Sequence, residues 1–130
     1  MKIMFVSAAN STHTVRWVNA LAERGHEVYL VSNRGHEPKE DALNSRVKLY
    51  LMKHSGGKGY YLNAGELRKI AKRINPDVIN VHYASGYGTL ARKARLPKYI
   101  LSVWGSDVYD FPYESRVKNH ILKRNVRSAS

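Results

Sequence analysis

Apolar and polar residues alternate in blocks along the chain, and the blocks have the lengths of strands and helices. Short apolar runs that contain β-branched and aromatic residues are typical of buried strands. Such runs predict strands at 2–8, 27–32, 47–52, 78–82 and 99–104. Between them, apolar residues at spacings of three and four predict amphipathic helices. The predicted helices lie between the polar loop 9–12 and Gly25, and at 64–74, 86–95 and 114–127.

The first three predicted elements indicate the class of fold. Ser11 or Thr12 can cap the first helix, and Gly25 stands where a left-handed residue would end it. The predicted apolar face of this helix comprises Val15, Val18, Leu21 and Ala22. A strand, a crossover helix and a second strand form a parallel unit. The order of elements therefore predicts an α/β fold, a doubly wound Rossmann-like parallel sheet of about five strands with helices on both faces, in a single domain over residues 1–130.

Two connections between predicted elements have a distinct composition. Residues 33–46 are polar and long for a connection, so we expect mobility there and one helical turn at Lys39–Leu43. Residues 55–59 are rich in glycine, which predicts a flexible turn. This second segment lacks the Gly-Lys-Ser/Thr ending of a nucleotide-binding P-loop. It therefore gives no prediction of a phosphate site.

The composition fits a folded domain and excludes some kinds of site. Apolar residues make up 43% of the chain, which is enough for a core between a sheet and its helices. The chain has no cysteine, which excludes disulfides and thiolate zinc sites. The apolar stretch Ile3–Val6 is too short for a secretory signal, and no run approaches the roughly 20 apolar residues of a membrane span. We therefore expect a cytoplasmic protein.

The charge of the chain is its most unusual compositional property. A net charge of +12, from 22 Lys and Arg against 10 Asp and Glu, implies an anionic partner. Nucleic acid, an anionic membrane leaflet and phosphorylated small molecules all fit this charge. We do not expect nucleic acid, because no nucleic-acid motif is present and the basic residues are spread over several helices. The basic helix 114–127 either lies peripherally at the inner face of the membrane or packs its apolar side on the sheet.

The candidate binding loops follow from the geometry of a parallel sheet. Ligands bind at the carboxyl ends of such strands, where the N-termini of helices also point. The loops after strands one, four and five are small and polar, and they span residues 9–14, 83–88 and 105–107. The first loop lacks the Gly-x-Gly-x-x-Gly fingerprint, which disfavours an NAD-dependent dehydrogenase. We expect no cofactor.

Several residues of the first two loops are candidates for substrate contact, and each has a structural alternative. His13, Thr14 and Arg16 either meet a sugar hydroxyl or phosphate or belong to a capped, solvent-facing helix start. Gly86, beside Tyr87, either admits a ligand to the backbone or makes an ordinary strand-to-helix turn. Both alternatives remain open for each residue.

The ends of the fourth and fifth strands supply the candidate catalytic residues. His82 and Tyr83 end a buried strand, where polar side chains are either paired in the core or functional. Asp107 either projects into the ligand cleft at the carboxyl ends of the strands as a general base or caps a turn. Trp104 either stacks on a sugar ring or fills the core. Two small residues add further candidate contacts, Gly105 and Ser106.

Three segments of the chain resemble a known family when they are taken together. They are His-Thr-x-Arg-Trp-x-x-x-Leu-x-x-x-Gly-His-Glu-Val at 13–28, Asp-Val-Ile-Asn-Val-His-Tyr at 77–83 and Ser-Val-Trp-Gly-Ser-Asp at 102–107. In this order and spacing they resemble the N-terminal domain of retaining glycosyltransferases of the GT-B fold, of the family-4 type. The resemblance covers nearly the whole chain.

The resemblance implies a function and a division of roles. In such enzymes the N-terminal domain holds the acceptor, often lipid-linked or phosphorylated, and a C-terminal domain binds the nucleotide-sugar donor, usually without a metal. By resemblance, Asp107 is the base or the acid that orients the acceptor. Many members have histidine where this chain has Trp104, so Asp107 or His82 would take its role, and loop 9–14 lacks the glycine pair of many members. The donor domain is not contained in residues 1–130, so we expect this segment alone to be inactive.

One alternative from another class remains open. The chain can be a stand-alone basic binding module, either one subunit of a split transferase or a binder of anionic surfaces or nucleic acid. Its basic charge suits this hypothesis as well as the first. The three segments, taken as a set, favour the transferase.

Overall fold

A computed structural model of the chain describes residues 1–83, 85–103 and 116–129. The strands in these ranges are β1 Lys2–Val6, β2 Glu27–Arg34, β3 Lys48–Ser55, β4 Val78–His82 and β5 Ile100–Ser102. The helices are α1 Thr12–Glu23, α2 Gly56–Leu62, α3 Ala64–Ile74, α4 Gly86–Ala94 and α5 Arg116–Ser128. All paired strands are parallel, which confirms the predicted α/β fold.

The order of the strands across the sheet is β3-β2-β1-β4-β5. The chain moves outward from β1 to β3, returns to the middle and then moves outward again to β5. The direction reverses between β1 and β4, which pair from Ile3 opposite Val78 to Val6 opposite Val81. At such a reversal, the carboxyl ends of the two strands form the usual ligand crevice of an open parallel sheet. In this chain the crevice lies beyond Val6 and His82.

Helices cover both faces of the sheet, because successive side chains of a strand point to opposite faces and both faces are apolar. On one face, α3 and α4 bury Leu67 and Leu90 in a shared apolar cluster. On the other face, α1 buries Val18 and Ala22 against the middle strands. Each fully buried leucine or valine contributes about 1.5–3 kcal/mol to the stability of the fold. The predicted doubly wound arrangement is therefore confirmed.

Helix α1 departs from its predicted pattern in its first turns. Val18 is buried as predicted, whereas Val15 and Leu21 are only half-buried. Thr14 is buried instead, and its Oγ1 lies 2.6 Å from Oγ of Ser7 just after β1. The hydroxyl pair satisfies both polar side chains inside the protein, which is why a threonine can occupy this position.

The ends of α1 are only partly as predicted. Ser11 is the residue before the helix, but its side chain makes no capping hydrogen bond. Gly25 follows the helix with a φ of 90°, a left-handed conformation that glycine adopts without steric cost.

The glycine-rich segment 55–59 is not a flexible turn, because helix α2 begins at Gly56. The helix lies close to the end of β3. The buried Asn63 accepts a hydrogen bond from the N–H of His54 and donates one to its carbonyl oxygen, both at 2.9 Å. A Cβ added at Gly59 would lie 2.8 Å from that same carbonyl oxygen. Glycine is present here for close packing, and the prediction of a turn is wrong.

The connection after β2 also differs from the prediction. The predicted helical turn at Lys39–Leu43 is a single hydrogen-bonded turn, closed by the N–H of Ala42. Asp41 has a φ of 58°, which is left-handed and cannot continue a right-handed helix. Asn19 of α1 donates to the carbonyl oxygen of Ala42 at 2.9 Å and so ties this connection to the helix.

The remaining elements are present with small shifts at their ends. Strand β5 is shorter than predicted, and the predicted strand end at Trp104 lies outside the described residues. Helix α5 runs from Arg116 to Ser128, against a prediction of 114–127. Across the described parts of the chain, every helix is too short or too polar for a bilayer-crossing segment.

Candidate functional site

Two cavities open at the carboxyl edge of the sheet, one on each of its faces. The first, which we call the histidine cleft, lies on the α1 side and has a volume of about 380 Å³. It is lined by His13, Trp17, Asn80, His82, Ser102 and Val103. The second, which we call the tyrosine pocket, lies on the α4 side and has a volume of about 220 Å³. It is lined by Ala8, His36, Tyr60, Tyr83 and Tyr87.

His82, the last residue of β4, forms the buried wall of the histidine cleft. Its side chain is 3% exposed and meets the ring of Phe5 edge-on, with centroids 5.5 Å apart. Val81 before it belongs to the cluster on the opposite face, so the alternation of the strand turns His82 toward α1. Burial, with a smaller contribution from His13, lowers the pKa of His82 to about 4. The imidazole is therefore neutral at physiological pH and can accept a proton.

The other groups that line the histidine cleft suit a polyhydroxylated ligand. The Oγ of Ser102 donates to Oδ1 of Asn80 at 3.0 Å, across the neighbouring strands β5 and β4. Trp17 of α1 is 59% exposed, which leaves its indole ring accessible to a ligand. Amide and hydroxyl groups exchange hydrogen bonds with sugar hydroxyls, and an aromatic face can stack on a sugar ring.

The tyrosine pocket is built around one hydrogen-bonded pair. The Oη of Tyr87 lies 2.6 Å from Nδ1 of His36, and it also accepts the N–H of Asn33 at 3.0 Å. Tyr87 is buried, which raises the pKa of its phenol and keeps the hydroxyl protonated. The ring of Tyr60 meets the ring of Tyr87 edge-on, with centroids 5.2 Å apart and planes at 83°. The pocket thus combines aromatic walls with one imidazole.

The loop after β4 has a backbone shaped by close contacts. Tyr83 has a φ of 77°, and its N–H donates to the carbonyl oxygen of Ser102 at 2.8 Å. A positive φ at a residue with a large side chain costs about 1 kcal/mol or more and is enriched at functional sites. A Cβ added at Gly86 would lie 2.7 Å from the ring of Tyr60. Gly86 therefore makes room for that ring, and it also lines a neighbouring cavity of about 340 Å³.

The structure brings together some of the residues that the sequence singles out. His13 and His82 share the histidine cleft, and Tyr83 and Tyr87 share the tyrosine pocket. Thr14 is buried against Ser7, and Arg16 is exposed on α1; neither lines one of these two cavities. Four predicted site residues lie outside the described residues, namely Trp104, Gly105, Ser106 and Asp107. The roles given to all of these residues stay predictions.

Sequence reasoning misses His36 and Tyr60. It considers the loops after three strands only, whereas His36 lies after β2, whose carboxyl end reaches the same edge of the sheet. Tyr60 lies in α2, just after a segment whose glycines predict a turn. Two signals could have found them: the parallel direction of β2 and the pair of tyrosines that follows the glycines.

The described residues that line the two cavities carry no formal charge. Asp, Glu, Lys and Arg are absent from the described residues that line either of them. Nor do the described ranges bring together three or more His, Asp or Glu side chains that could hold a metal ion. The described cavities therefore suit a neutral ligand that is held by hydrogen bonds and ring contacts.

The fold and its cavities define a Rossmann-like α/β domain with a ligand crevice at the carboxyl edge of a parallel sheet. Comparison with known families narrows this class. The chain belongs to the family described as glycosyl transferase 4-like, whose family model matches residues 2–130. The family-4-type resemblance seen in the sequence is therefore confirmed at the level of the family.

The other comparisons add little to this assignment. No curated protein matches the chain. Among solved structures, the chain is similar to one titled "Crystal Structure of UDP-galactose 4-epimerase", at 12% sequence identity and a TM-score of 0.42. The match covers 65% of this chain and 40% of that chain, so it spans less than half of the epimerase. A likeness at this level carries no argument about function.

Proposed function

We propose that this chain forms the acceptor side of a glycosyltransferase that moves a sugar from a nucleotide-sugar donor to an acceptor hydroxyl. The proposal is carried by two cavities beside the β1–β4 reversal, whose described lining is uncharged and largely aromatic, in a chain of the glycosyl transferase 4-like family. A nucleotide sugar carries phosphates, and no cation lines the described parts of either cavity. We therefore assign the donor to a second domain outside these 130 residues, as in the GT-B enzymes that the sequence resembles.

In this proposal His82 and Asp107 are the catalytic residues. The neutral imidazole of His82 lines the cleft, so it can take the proton of the acceptor hydroxyl as the new bond to the sugar forms and the nucleotide leaves with the electron pair of the broken C–O bond. Asp107 acts as a base or orients the acceptor, a role that rests on the resemblance alone. The same resemblance assigns acceptor contacts to Trp104, Gly105 and Ser106, and it implies retention of the anomeric configuration.

The remaining predicted residues either contact the acceptor or support a loop beside it. His13 contacts the acceptor in the histidine cleft, and Tyr83 and Tyr87 belong to the tyrosine pocket. Thr14 supports the loop after β1 through its hydroxyl pair with Ser7. Arg16 is exposed one helical turn after His13, where it can meet a charged part of the acceptor outside the cleft.

A transfer assay tests this function. The complete protein is incubated with a panel of nucleotide sugars and with lipid-linked and phosphorylated acceptors, and labelled product is measured. We expect transfer from at least one donor, with turnover lowered about 100-fold or more by His82→Gln. His26→Gln is the matched control, because His26 lies just before β2 at the opposite edge of the sheet. Absence of transfer from every donor, or equal turnover in the two variants, contradicts the proposal.

We also propose that the enzyme works at the inner, anionic face of the cytoplasmic membrane, where lipid-linked acceptors of polysaccharide synthesis would lie. The side of the sheet that carries α3, α4 and α5 has many exposed cations. They are Lys69, Lys72, Arg73, Lys93, Arg95, Lys98, Lys123, Arg124 and Arg127. The described residues after Asn63 include two acidic residues, Glu66 and Asp77. Each basic residue near an anionic leaflet contributes about 1 kcal/mol to binding.

Co-sedimentation with vesicles tests the membrane location. We expect binding to vesicles that contain phosphatidylglycerol, loss of binding at high salt and no binding to neutral phosphatidylcholine vesicles. Lys123→Glu with Arg127→Glu should weaken binding, whereas the control pair Lys39→Glu with Arg46→Glu, exposed before β3, should not. Equal behaviour toward both vesicle types contradicts the location. Salt-sensitive binding to single-stranded oligonucleotides alone would favour the nucleic-acid alternative.

A further inference from the structure

We infer that the tyrosine pocket is a subsite for one neutral sugar ring of the acceptor, with His36 as its hydrogen-bond donor and Tyr87 as the residue that positions His36. This inference rests on the proposed function. It adds to that function the residue pair His36 and Tyr87 and a ligand class, a neutral sugar ring. Both belong to the tyrosine pocket and not to the histidine cleft.

The position of the pocket suits a ligand site. Ala8 follows β1, His36 follows β2 and Tyr83 follows β4, so the carboxyl ends of three strands converge on it. Tyr60 of α2 and Tyr87 of α4 complete the lining. The volume of about 220 Å³ is smaller than the roughly 300–1,000 Å³ typical of pockets for drug-sized ligands. The space therefore suits a single ring.

The hydrogen bond between Tyr87 and His36 favours one tautomer of His36. The N–H of Asn33 donates to Oη of Tyr87 and occupies one of its acceptor positions, which favours the arrangement in which the phenol proton donates to Nδ1 of His36. A neutral imidazole that accepts at Nδ1 carries its proton on Nε2. Burial lowers the pKa of His36, which favours this neutral form. Within the described residues Nε2 has no hydrogen-bond partner, so its N–H is available to a ligand hydroxyl.

The aromatic walls of the pocket are held in place by packing. Tyr60 meets Tyr87 edge-on, and the ring of His36 lies 5.7 Å from the ring of Tyr87 between centroids. The absence of a side chain at Gly86 lets the ring of Tyr60 approach the start of α4. An aromatic face beside a directional N–H donor matches a sugar ring, which presents C–H groups on its faces and hydroxyls at its rim.

The described lining of the tyrosine pocket carries no formal charge. The described residues that line the pocket include no Lys, Arg, Asp or Glu. A buried phosphate needs cations or several backbone donors to replace its hydration. One neutral imidazole does not supply them, so the described lining suits a ligand that is uncharged where it enters the pocket.

NMR of the chain labelled with ¹⁵N-histidine gives the first test. Before any ligand is added, long-range ¹H–¹⁵N spectra should show His36 with an unprotonated Nδ1 and a protonated Nε2. Methyl glycosides of glucose, galactose and mannose are then added, with inorganic phosphate as the charged comparison. At least one glycoside should shift the signals of His36 Nε2 and of the Tyr60 ring, and phosphate should shift neither. The opposite tautomer, or shifts with phosphate only, overturns the inference.

Variants supply the second test. His36→Phe keeps a ring but removes the donor, and it should weaken binding of the same glycoside about tenfold or more. His26→Phe is the matched control and should bind as the unmodified chain does. Tyr87→Phe should leave the His36 side chain in place but no longer favour one tautomer of it. Both tautomers should then appear in the spectrum, and glycoside binding should weaken several-fold. Unchanged glycoside binding in His36→Phe overturns the inference, and the tautomer measurement on the unmodified chain stands even if a variant does not fold.

The outcomes separate this inference from the proposed function. Glycoside binding that depends on His36, without sugar transfer by the complete protein, supports the subsite and contradicts the transferase. Sugar transfer with an acceptor KM that is unchanged in His36→Phe supports the transferase and overturns the subsite.

Discussion

Tyr87 and His36 are 51 residues apart in the sequence, yet the Oη of Tyr87 lies 2.6 Å from Nδ1 of His36. The bond connects the first turn of α4 with the loop after β2, across the crevice at the carboxyl edge of the sheet. The same hydroxyl accepts the N–H of Asn33 at the end of β2. One phenol therefore satisfies a buried backbone group and orients an imidazole. Its loss should affect both the stability of the fold and the tautomer of His36.

The first effect is on stability. Tyr87→Phe leaves the N–H of Asn33 buried without its acceptor, which should lower the free energy of unfolding by about 1–3 kcal/mol in urea. Tyr61→Phe is the control, since Tyr61 is 49% exposed and its change should stay within about 0.5 kcal/mol. Equal losses in the two variants would mean that the hydroxyl of Tyr87 has no stabilising role.

The fit between Gly86 and Tyr60 gives a second prediction. Gly86→Ala places a Cβ within 3.0 Å of three atoms at the end of the Tyr60 side chain, so that ring must move. We expect changed ring signals of Tyr60 and a loss of about 1–3 kcal/mol in stability. Gly65→Ala in α3 meets open space and should not destabilise, because alanine is the better helix former. A Tyr60 spectrum that is unchanged by Gly86→Ala would show that the ring is not held as described.

The buried His82 makes stability depend on pH. Its pKa is lowered from about 6.5 in an unfolded chain to about 4 in the fold, because burial disfavours the charged ring. The unfolded chain therefore binds the proton first as pH falls, and the stabilisation present above pH 6.5 is lost between about 6.5 and 4.

Urea unfolding across this pH range measures the effect. His82→Gln should remove part of the dependence of the free energy of unfolding on pH, at most about 3 kcal/mol over the interval. His36 has a pKa shifted in the same direction by burial, so some slope should remain in His82→Gln. An identical slope in the His82 variant and the unmodified chain would contradict the burial of a neutral His82.

Much of the fold could be predicted from the sequence because hydrophobic periodicity is set by burial. The third helix is found at Ala64–Ile74 as predicted, since its apolar positions recur at helical spacing and each of them is buried. Helix α2 could not be found this way. Its glycines signal a turn by composition, whereas in the structure Gly59 packs closely against the carbonyl oxygen of His54.

The candidate site was predictable to a smaller extent. His82 could be predicted because a polar residue at the end of an apolar strand must be paired or functional. His36 could not, because its partner Tyr87 is distant in sequence and contact between them depends on the order of strands across the sheet. The prediction for Asp107 is of a third kind, since it rests on the resemblance and lies outside the described residues.

The most direct test of the acceptor-side role is to measure turnover and donor affinity together for Asp107→Asn in the complete enzyme. The proposal predicts that turnover falls about 100-fold or more, the usual contribution of a general base, while the Kd for the nucleotide sugar changes by less than about twofold. Unchanged turnover would remove Asp107 from the mechanism, and a loss of donor affinity as large as the loss of turnover would contradict the assignment of this chain to the acceptor.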